Sequence, residues 1–436
     1  MNLLDIGIIL AYFAGMIFLG LIAQKMQKNS DDYYVGGRSM GSFKIGALWM
    51  AGWIGGSAVI GTSANACAMG ITAVWYVVAI AAGCIIFAFV MAEPIKRVST
   101  VLHNITFPEL IRSRYDEKNS LMCSITTIMA MIGYTAAQFV AGASILNVLT
   151  GWSLGLCYVV AAVVIVFYVS TGGLLAVTYT DIVQMLLLIL GVVVLGIPFT
   201  ASVLDKSSLS FSQLPEGYFN LGSWGWSTII ALFVSTVMSF FTCMDSFTRC
   251  IAAKDTKTAR AGTVYAAIAV LVIAGAGTYL GMAGKLLLPE CTDTNNILAE
   301  LVVRIMPHGL KGLILIGVLS AIMSTADISV LTASASITKD IYQTYINPKV
   351  GEKQLMHIGV ASSLLVGIAG ALFGWLNQEH PFDHFYHKLR RPFSADTLRL
   401  LLETGKFRRR ICLYGICNPY CRDMVHRRQC VGAPPV

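Results

Sequence analysis

Two separated stretches of the chain carry oxygen atoms of the kind that a small hard cation prefers. Ser324 and Thr325 bring two hydroxyl groups into a long apolar segment, and the carbonyl group of Ala321 lies one helical turn before them. Far upstream, Ala51 and Ile54 lie in a second apolar segment that glycines interrupt, which would free their backbone carbonyl groups. Together the two stretches predict a site for one cation with two hydroxyl and three carbonyl ligands.

The hydroxyl groups also have a structural explanation. Serine and threonine in membrane helices commonly donate a hydrogen bond to the carbonyl group four residues earlier. Ser324 and Thr325 are adjacent, so they point about 100° apart on a helix and can share an ion only in a groove between helices. Spacing alone therefore leaves both a cation site and helix back-bonding open.

Three carboxylates also fall within apolar segments, where a charge is costly and marks a functional candidate. Asp245 is followed by Arg249 one helical turn later, which favours a simple ion pair. Asp181 is expected near the inner end of its helix, where its side chain either reaches the surface or has a functional role. Asp327 is the deepest of the three and either faces a water-filled path or hydrogen-bonds to a neighbouring helix.

The elements that must position these residues are membrane helices. The 436 residues are 56% hydrophobic and 12% charged, whereas soluble domains carry about 25% charged residues. No metal-ligand cluster or nucleophile–base pair falls within the apolar segments, so an enzyme is not expected. Ten apolar runs are long enough to cross about 30 Å of hydrocarbon, and they lie at about 4–24, 43–70, 73–93, 120–147, 153–170, 178–200, 226–248, 262–284, 312–337 and 356–376.

Lysine and arginine are unevenly distributed between alternate loops. With the N-terminus outside, the inner loops hold sixteen of these residues and the outer loops hold four. Cytoplasmic loops carry such an excess of positive charge. The pattern predicts a multi-pass protein of the plasma (inner) membrane, with cytoplasmic loops at 95–118, 250–260 and 338–355.

Two of the apolar runs are expected to be broken helices. Run 43–70 contains Gly55 and Gly56 near mid-membrane, and glycine costs about 1 kcal/mol relative to alanine in a helix. Run 226–248 carries several hydroxyl residues and a charged one. Each run begins a set of five helices, and inverted repeats with broken first helices point to a binding site at the membrane midplane. Close helix packing through small residues is the alternative explanation for the glycines.

Composition changes abruptly at residue 379. The last 58 residues contain 11 of the 31 lysines and arginines and 4 of the 11 cysteines, and no run among them could span a bilayer. We expect a transmembrane body at 1–376 and a basic tail at 379–436 that is unstructured or out of frame, with a genuine appended segment as the alternative. The tail lacks any recognised nucleic-acid-binding module, so no nucleic-acid partner is expected.

Residues 4–376 resemble the sodium:solute symporter family. The most specific stretch is Tyr168–Gln184, which is similar to the family signature GGL-x-AV-x-x-TD-x-x-Q. Further stretches occur in the family's order, and they are Gly36–Ser39, Thr106–Glu109 with Arg114–Tyr115, Arg249–Asp255, Ser320–Thr325 and Thr338–Tyr342.

The resemblance implies an all-α polytopic membrane protein with a LeuT-type inverted-repeat bundle, one extra N-terminal helix and an incomplete second repeat. It implies sodium as the coupling ion, and the implied sodium ligands are Ala51, Ile54, Ala321, Ser324 and Thr325. Asp181 matches an acid on the path by which sodium leaves toward the cytoplasm. The implied partners are the lipid bilayer and a small organic solute, namely an amino acid, a vitamin or a quaternary amine.

The region around the first break departs from the proline-type pattern of this family. Trp53 stands where proline-type members place a functionally important aspartate, and it matches choline-type members, in which this tryptophan helps to form an aromatic cage. Tyr134 is a candidate for a second wall, but Cys243 stands where the choline pattern has another tryptophan. A lost wall weakens a cation–π site by about 0.5–2 kcal/mol. The candidate substrate-pocket residues are Trp53, Gly55, Gly56, Ser57 and Tyr134.

These observations predict a sodium-coupled symporter of a small organic solute that works by alternating access. Two alternatives are a membrane sensor that binds the solute without transport and an inactive, truncated symporter. Solute flux separates them, because a sensor would bind solute without sodium-dependent uptake.

Overall fold

The computed structural model describes residues 3–25, 29–103, 106–291 and 294–379. Within these ranges the regular structure is helical, and the only β contact is an isolated bridge between Met40 and Ala253. The predicted tail at 379–436 lies, apart from its first residue, outside the described residues. One large hydrophobic core and a small second cluster around Ala66, Ala73, Leu214 and Met282 lie in the described part of the unit Met1–Trp375.

Sixteen α-helices follow one another along the described residues. They are α1 (Leu3–Gln24), α2 (Ser30–Val35), α3 (Ser42–Trp53), α4 (Thr62–Met69), α5 (Val74–Val90), α6 (Ala92–Leu102), α7 (Phe107–Arg114), α8 (Glu117–Thr150), α9 (Leu154–Leu188), α10 (Ile197–Lys206), α11 (Trp226–Thr242), α12 (Met244–Ala252), α13 (Thr256–Leu287), α14 (Ile297–Ile305), α15 (Leu310–Ala335) and α16 (Glu352–Glu379).

The described residues contain seven helices long and apolar enough to cross a membrane, or eight if the bent pair α11 and α12 forms one span. The protein is therefore a multi-pass membrane protein. This count differs from the ten predicted apolar runs because an interrupted helix is either too short to be counted as a span or is merged with its neighbour into one longer helix. Helix α3 has only 12 residues, and α9 contains the non-helical Gly173 between the two runs predicted at 153–170 and 178–200.

Helix α15 lies at the centre of the bundle and packs against α1, α3, α8 and α9. Every residue from Ile314 to Ala335 is buried, as expected for a helix that is apolar around its whole circumference. Its polar side chains therefore face protein and not lipid, and they include Ser320, Ser324, Thr325 and Asp327.

The predicted break in the first run is confirmed. Helix α3 ends at Trp53, and Ile54 leaves the helical conformation with φ −105° and ψ 74°. The chain resumes as a π-helical turn at Ser57–Gly61 and continues as α4. Carbonyl groups at the end of α3 are thereby released from the regular helical ladder.

The second predicted break is also confirmed. Helices α11 and α12 meet at an angle of 54°, and the residue between them, Cys243, is extended with φ −82° and ψ 123°. Helix α12 begins with Met244 and Asp245 and is buried along most of its length. Each predicted five-helix set thus begins with a helix that is broken inside the apolar region.

Segments that follow α2 and α12 are joined at one end of the bundle. The backbone amide of Met40 donates to the carbonyl oxygen of Ala252 at 3.1 Å, and the amide of Lys254 donates to Met40 at 3.1 Å. The ammonium group of Lys96 donates to the carbonyl oxygen of Ile251 at 3.0 Å. Burial lowers the pKa of Lys96. Two of the family-like stretches therefore meet at this end.

Candidate functional site

Four of the five predicted cation ligands line one small cavity. Ala51 and Ile54 come from the end of α3, and Ala321 and Ser324 come from the middle of α15. Asp181 of α9 lines the same cavity. The cavity has a volume of about 10 Å³, which is room for about one water molecule or small ion.

Thr325, the fifth predicted ligand, links the two helices. Its hydroxyl oxygen lies 2.7 Å from the carbonyl oxygen of Ala51 and 3.1 Å from that of Ala321. Ser324 donates to the same carbonyl oxygen of Ala321 at 3.1 Å. The back-bonding that spacing left open is thus present, but the contact with Ala51 joins residues 274 positions apart, which back-bonding does not require.

The carboxylate of Asp181 is buried without a hydrogen-bond donor among the described residues. Its side chain is 0% exposed, so the interpretation in which it reaches the surface is wrong. Neither carboxylate oxygen has a hydrogen-bond partner among the described residues. A buried charge without a partner is costly, and this side chain lines the cavity that Ser324 also lines.

Helix α1 reaches this site through Tyr12. The side-chain amide of Gln184, one turn after Asp181, donates to the hydroxyl oxygen of Tyr12 at 3.0 Å. The Tyr12 hydroxyl in turn lies 3.4 Å from the sulfur of Met323 on α15. Asp327 is fully buried and interacts electrostatically with both Asp181 and Tyr12. The leading helix is therefore part of the wall around the buried acids.

The predicted ion pair between Asp245 and Arg249 is confirmed. A guanidinium nitrogen lies 2.8 Å from Oδ2 of the carboxylate, and the two side chains are 9% and 3% exposed. The guanidinium also lies 5.0 Å from the ring centroid of Trp49. The other carboxylate oxygen, Oδ1, accepts a hydrogen bond from the thiol of Cys243 at 2.6 Å.

An aromatic stack lies behind the first break. Trp53 stacks on Phe240 with 3.7 Å between ring centroids and 8° between ring planes, and Phe240 also stacks on Trp49 at 6.0 Å. Phe240 is fully buried, whereas Trp53 is partly exposed. The ring of Phe240 therefore lies between the rings of Trp53 and Trp49.

Polar groups from three helices surround the exposed side of the break. The hydroxyl groups of Ser57 and Tyr76 lie 3.3 Å apart, and Ser57 is exposed. Tyr134 is 36% exposed, interacts with Ser57, and is within electrostatic range of Cys243 and Asp245. The two candidate pocket residues Ser57 and Tyr134 therefore lie close together beside the first break.

Two amide side chains were not among the predicted site residues. Gln138 lies one turn after Tyr134 and accepts a hydrogen bond from the backbone amide of Gly56 at 3.3 Å. Gln184 contacts Tyr12 as described above. An amide side chain inside an apolar helix needs a hydrogen-bond partner. A glutamine within an apolar run is therefore the sequence signal that could have identified Gln138 and Gln184.

A family model described as the sodium:solute symporter family matches residues 33–382. Among related sequences, the chain is 27% identical to a sodium/proline symporter of Haemophilus influenzae over 409 residues, which cover 84% of this chain and 76% of the relative. It is 26% identical to a sodium/proline symporter of Escherichia coli over 391 residues, which cover 82% and 74%.

Two solved structures share the fold. A Na⁺-coupled sialic acid symporter superposes with a TM-score of 0.75 at 22% identity and covers 87% of this chain and 83% of its own. Mhp1, a nucleobase-cation-symport-1 family transporter, gives a TM-score of 0.54 at 19% identity with coverages of 80% and 75%. The likeness confirms the predicted LeuT-type arrangement.

Proposed function

The chain belongs to the sodium:solute symporter family, and we propose that the cavity between α3 and α15 is its sodium site. The protein is a sodium-coupled symporter of a small organic solute. The proposed ligands are the carbonyl oxygens of Ala51, Ile54 and Ala321 and the hydroxyl oxygens of Ser324 and Thr325. The observation that carries the proposal is the single cavity that four of these residues share with a buried carboxylate lacking a hydrogen-bond partner.

Asp181 supplies the negative charge in this proposal. Its carboxylate, which lines the same cavity, neutralises the bound sodium ion and is the first group that the ion meets on its path toward the cytoplasm. The same argument explains the absence of a protein hydrogen-bond partner, because the partner of an ionised carboxylate here is the cation. Sodium binding would then relieve a buried charge and favour one of the two states between which the transporter alternates.

The solute lies beside the sodium site at the first break. The proposed pocket residues are Trp53, Gly55, Gly56, Ser57 and Tyr134. They combine one aromatic face, two hydroxyl groups and backbone groups that the break releases. The names of the sodium/proline symporter relatives support an amino acid as the solute class.

Uptake driven by a sodium gradient tests this function directly. Proteoliposomes containing the protein would be exposed to a mixture of amino acids, sugars and vitamins, and the retained solutes identified by mass spectrometry. We expect accumulation of one solute under an inward sodium gradient and none under a matched potassium gradient. Solute that binds to the protein but never accumulates would favour the sensor and contradict symport.

We propose that the protein lies in the plasma membrane with its N-terminus outside. The unequal distribution of lysine and arginine between alternate loops supports this orientation. Single cysteines in the loops 95–118, 250–260 and 338–355, on a cysteine-free background, should resist an impermeant thiol reagent in intact cells. A cysteine at position 217, in the opposite loop, provides the reactive control. Ready labelling of two of the three inner loops would reverse the orientation.

A further inference from the structure

Three successive residues between α2 and α3 have left-handed backbone conformations. The φ angles of Gly36, Gly37 and Arg38 are 56°, 63° and 55°. Glycine adopts this region readily, but an arginine there is strained. Strained residues persist where surrounding contacts hold them, and they cluster at switch regions. The stretch Gly36–Ser39 is also one of the family-like motifs, and it belongs to neither the proposed sodium site nor the proposed solute pocket.

Helix α2, which precedes this stretch, is anchored to α9, to α16 and to the segment that follows α15. The backbone amide of Ser30 donates to a carboxylate oxygen of Glu352 in α16 at 3.0 Å. The ammonium group of Lys339, which lies just after α15, donates to the Ser30 hydroxyl at 3.1 Å. The hydroxyl of Tyr33 donates to the carbonyl oxygen of Ser170 in α9 at 3.3 Å. Ser30 and Tyr33 are both buried, so α2 and these helices form a first group.

The residues at the end of the stretch are anchored to α6 and α12 instead. The guanidinium of Arg38 donates to the Ser99 hydroxyl in α6 at 2.8 Å and to the carbonyl oxygen of His103, directly after α6, at 3.0 Å. Met40 is joined to the end of α12 by the two backbone hydrogen bonds described above. Lys96 of α6 also donates to the end of α12. Helices α6 and α12 and the start of α3 therefore form a second group.

The polar contacts that cross between the two groups near this stretch are weaker than the anchors. Nε of Arg38 donates to a carboxylate oxygen of Asp31 at 3.0 Å, and the Asp31 side chain is 40% exposed. An ion pair as exposed as this one contributes little to stability. Two further contacts link α9 to the second group, namely Thr178 to the sulfur of Met40 at 3.7 Å and Lys44 to the Tyr179 hydroxyl at 3.2 Å.

We propose that Gly36–Arg38 is a hinge about which the second group moves as one body relative to the first. The Asp31–Arg38 ion pair crosses the hinge and stabilises the closed position seen in the structure. This inference rests on the proposed function, since it supplies a joint for alternating access. Helix α3 begins in the second group and α15 leads into the first, so a sodium ion bound to both would favour the closed position.

Distances between pairs of spin labels, measured by electron paramagnetic resonance, locate the joint. Asn29 and Lys353 belong to the first group, Thr100 and Lys254 belong to the second, and all four are exposed. Cysteines at these positions, on a cysteine-free background, would be labelled and measured in potassium, in sodium, and in sodium with L-proline as the probe. We expect the 29–353 and 100–254 distances to stay constant and the 29–100 distance to change between conditions, with the closed distance favoured by sodium.

A variant of the ion pair tests the contact that crosses the hinge. Asp31→Ala removes this contact but leaves Arg38 anchored to α6. We expect the ratio of closed to open protein in potassium to fall by up to about fivefold, which is the range for an exposed ion pair. Glu117→Ala, which removes an exposed carboxylate in the first turn of α8, is the control and should leave the ratio unchanged. Equal ratios in the two variants would overturn the role of Asp31.

The hinge and the proposed function fail in different ways. A 29–353 distance that changes as much as the 29–100 distance would place the joint outside Gly36–Arg38. An unchanged 29–100 distance in protein that accumulates solute under a sodium gradient would also overturn the hinge and leave symport intact. A 29–100 distance that changes in protein that never accumulates solute would support the hinge and contradict symport. No change and no accumulation would contradict both.

Discussion

Replacing Gly55 by alanine should weaken sodium binding without removing any proposed ligand. A Cβ atom at this position would lie 2.8 Å from the hydroxyl oxygen of Thr325 and 3.2 Å from the amide oxygen of Gln138. The first distance is too short, so the hydroxyl must move. It lies 2.7 Å from the carbonyl oxygen of Ala51, and that contact joins the two halves of the site.

The size of the effect follows from the cost of overpacking. An extra methyl group in a well-packed interior costs about 1–3 kcal/mol. If this strain is borne by the sodium-bound form, the apparent sodium affinity falls by about 5-fold to 140-fold, because 1.4 kcal/mol corresponds to a factor of ten. If the sodium-free form bears the same strain, the sodium affinity changes less, and the thermal stability of the sodium-free protein falls instead.

Thermal unfolding followed by tryptophan fluorescence measures both quantities. The unfolding temperature would be recorded over a sodium titration at constant ionic strength, with potassium as the replacing ion. Gly61→Ala is the matched control in the same broken helix, since its nearest neighbour, the Cβ atom of Ser57, would be 4.0 Å away. A Gly55→Ala protein with unchanged stability and an unchanged sodium midpoint would refute the proposed contact between Thr325 and Ala51 in the sodium site.

Two further predictions concern the buried charges. Asp181→Asn should raise or maintain the unfolding temperature in potassium, because it removes a buried charge without a hydrogen-bond partner. It should also reduce the increase that sodium causes and weaken the apparent sodium affinity at least tenfold, because it removes the ion's charged partner. Asp205→Asn changes an exposed side chain and is the control, and an undiminished sodium response in Asp181→Asn would contradict this role. Arg249→Met should destabilise the protein by about 3–5 kcal/mol in denaturant unfolding, since it leaves Asp245 buried and unpaired. The double variant Asp245→Asn/Arg249→Met should recover much of that loss, and equal losses in both would show that the pair does not act as a unit.

The sequence allowed the broken helices to be predicted, and also the two stretches of residues that meet at the proposed cation site. Paired glycines at mid-membrane and hydroxyl groups in a long apolar run are local signals, and the family signature fixed their order along the chain. The grouping of Ala51 with Ser324 and Thr325 followed from that resemblance, because spacing alone also fitted helix back-bonding. In the structure, the hydroxyl group of Thr325 contacts both the carbonyl oxygen of Ala321 in its own helix and that of Ala51 in α3.

Other features depended on tertiary contacts that leave no pattern within one helix. Nothing in the residues around Phe240 indicates that its ring lies between Trp49 and Trp53, since aromatic residues in apolar helices are common. The burial of Asp181 depends on α1 and α15 covering it, and a position near a helix end suggested the opposite.

Direct measurement of sodium binding tests the central claim. Equilibrium binding of ²²Na⁺ to the purified protein should be saturable and displaced by unlabelled sodium but not by potassium. Ser324→Ala and Thr325→Ala should each weaken binding by about tenfold or more, because each removes a ligand to a charged group worth roughly 1.5–3 kcal/mol. Ser329→Ala, which removes only a hydrogen bond to the Thr325 carbonyl one turn further along α15, should bind sodium like the unmodified protein. Unchanged sodium affinity in both Ser324→Ala and Thr325→Ala would show that the ion lies elsewhere.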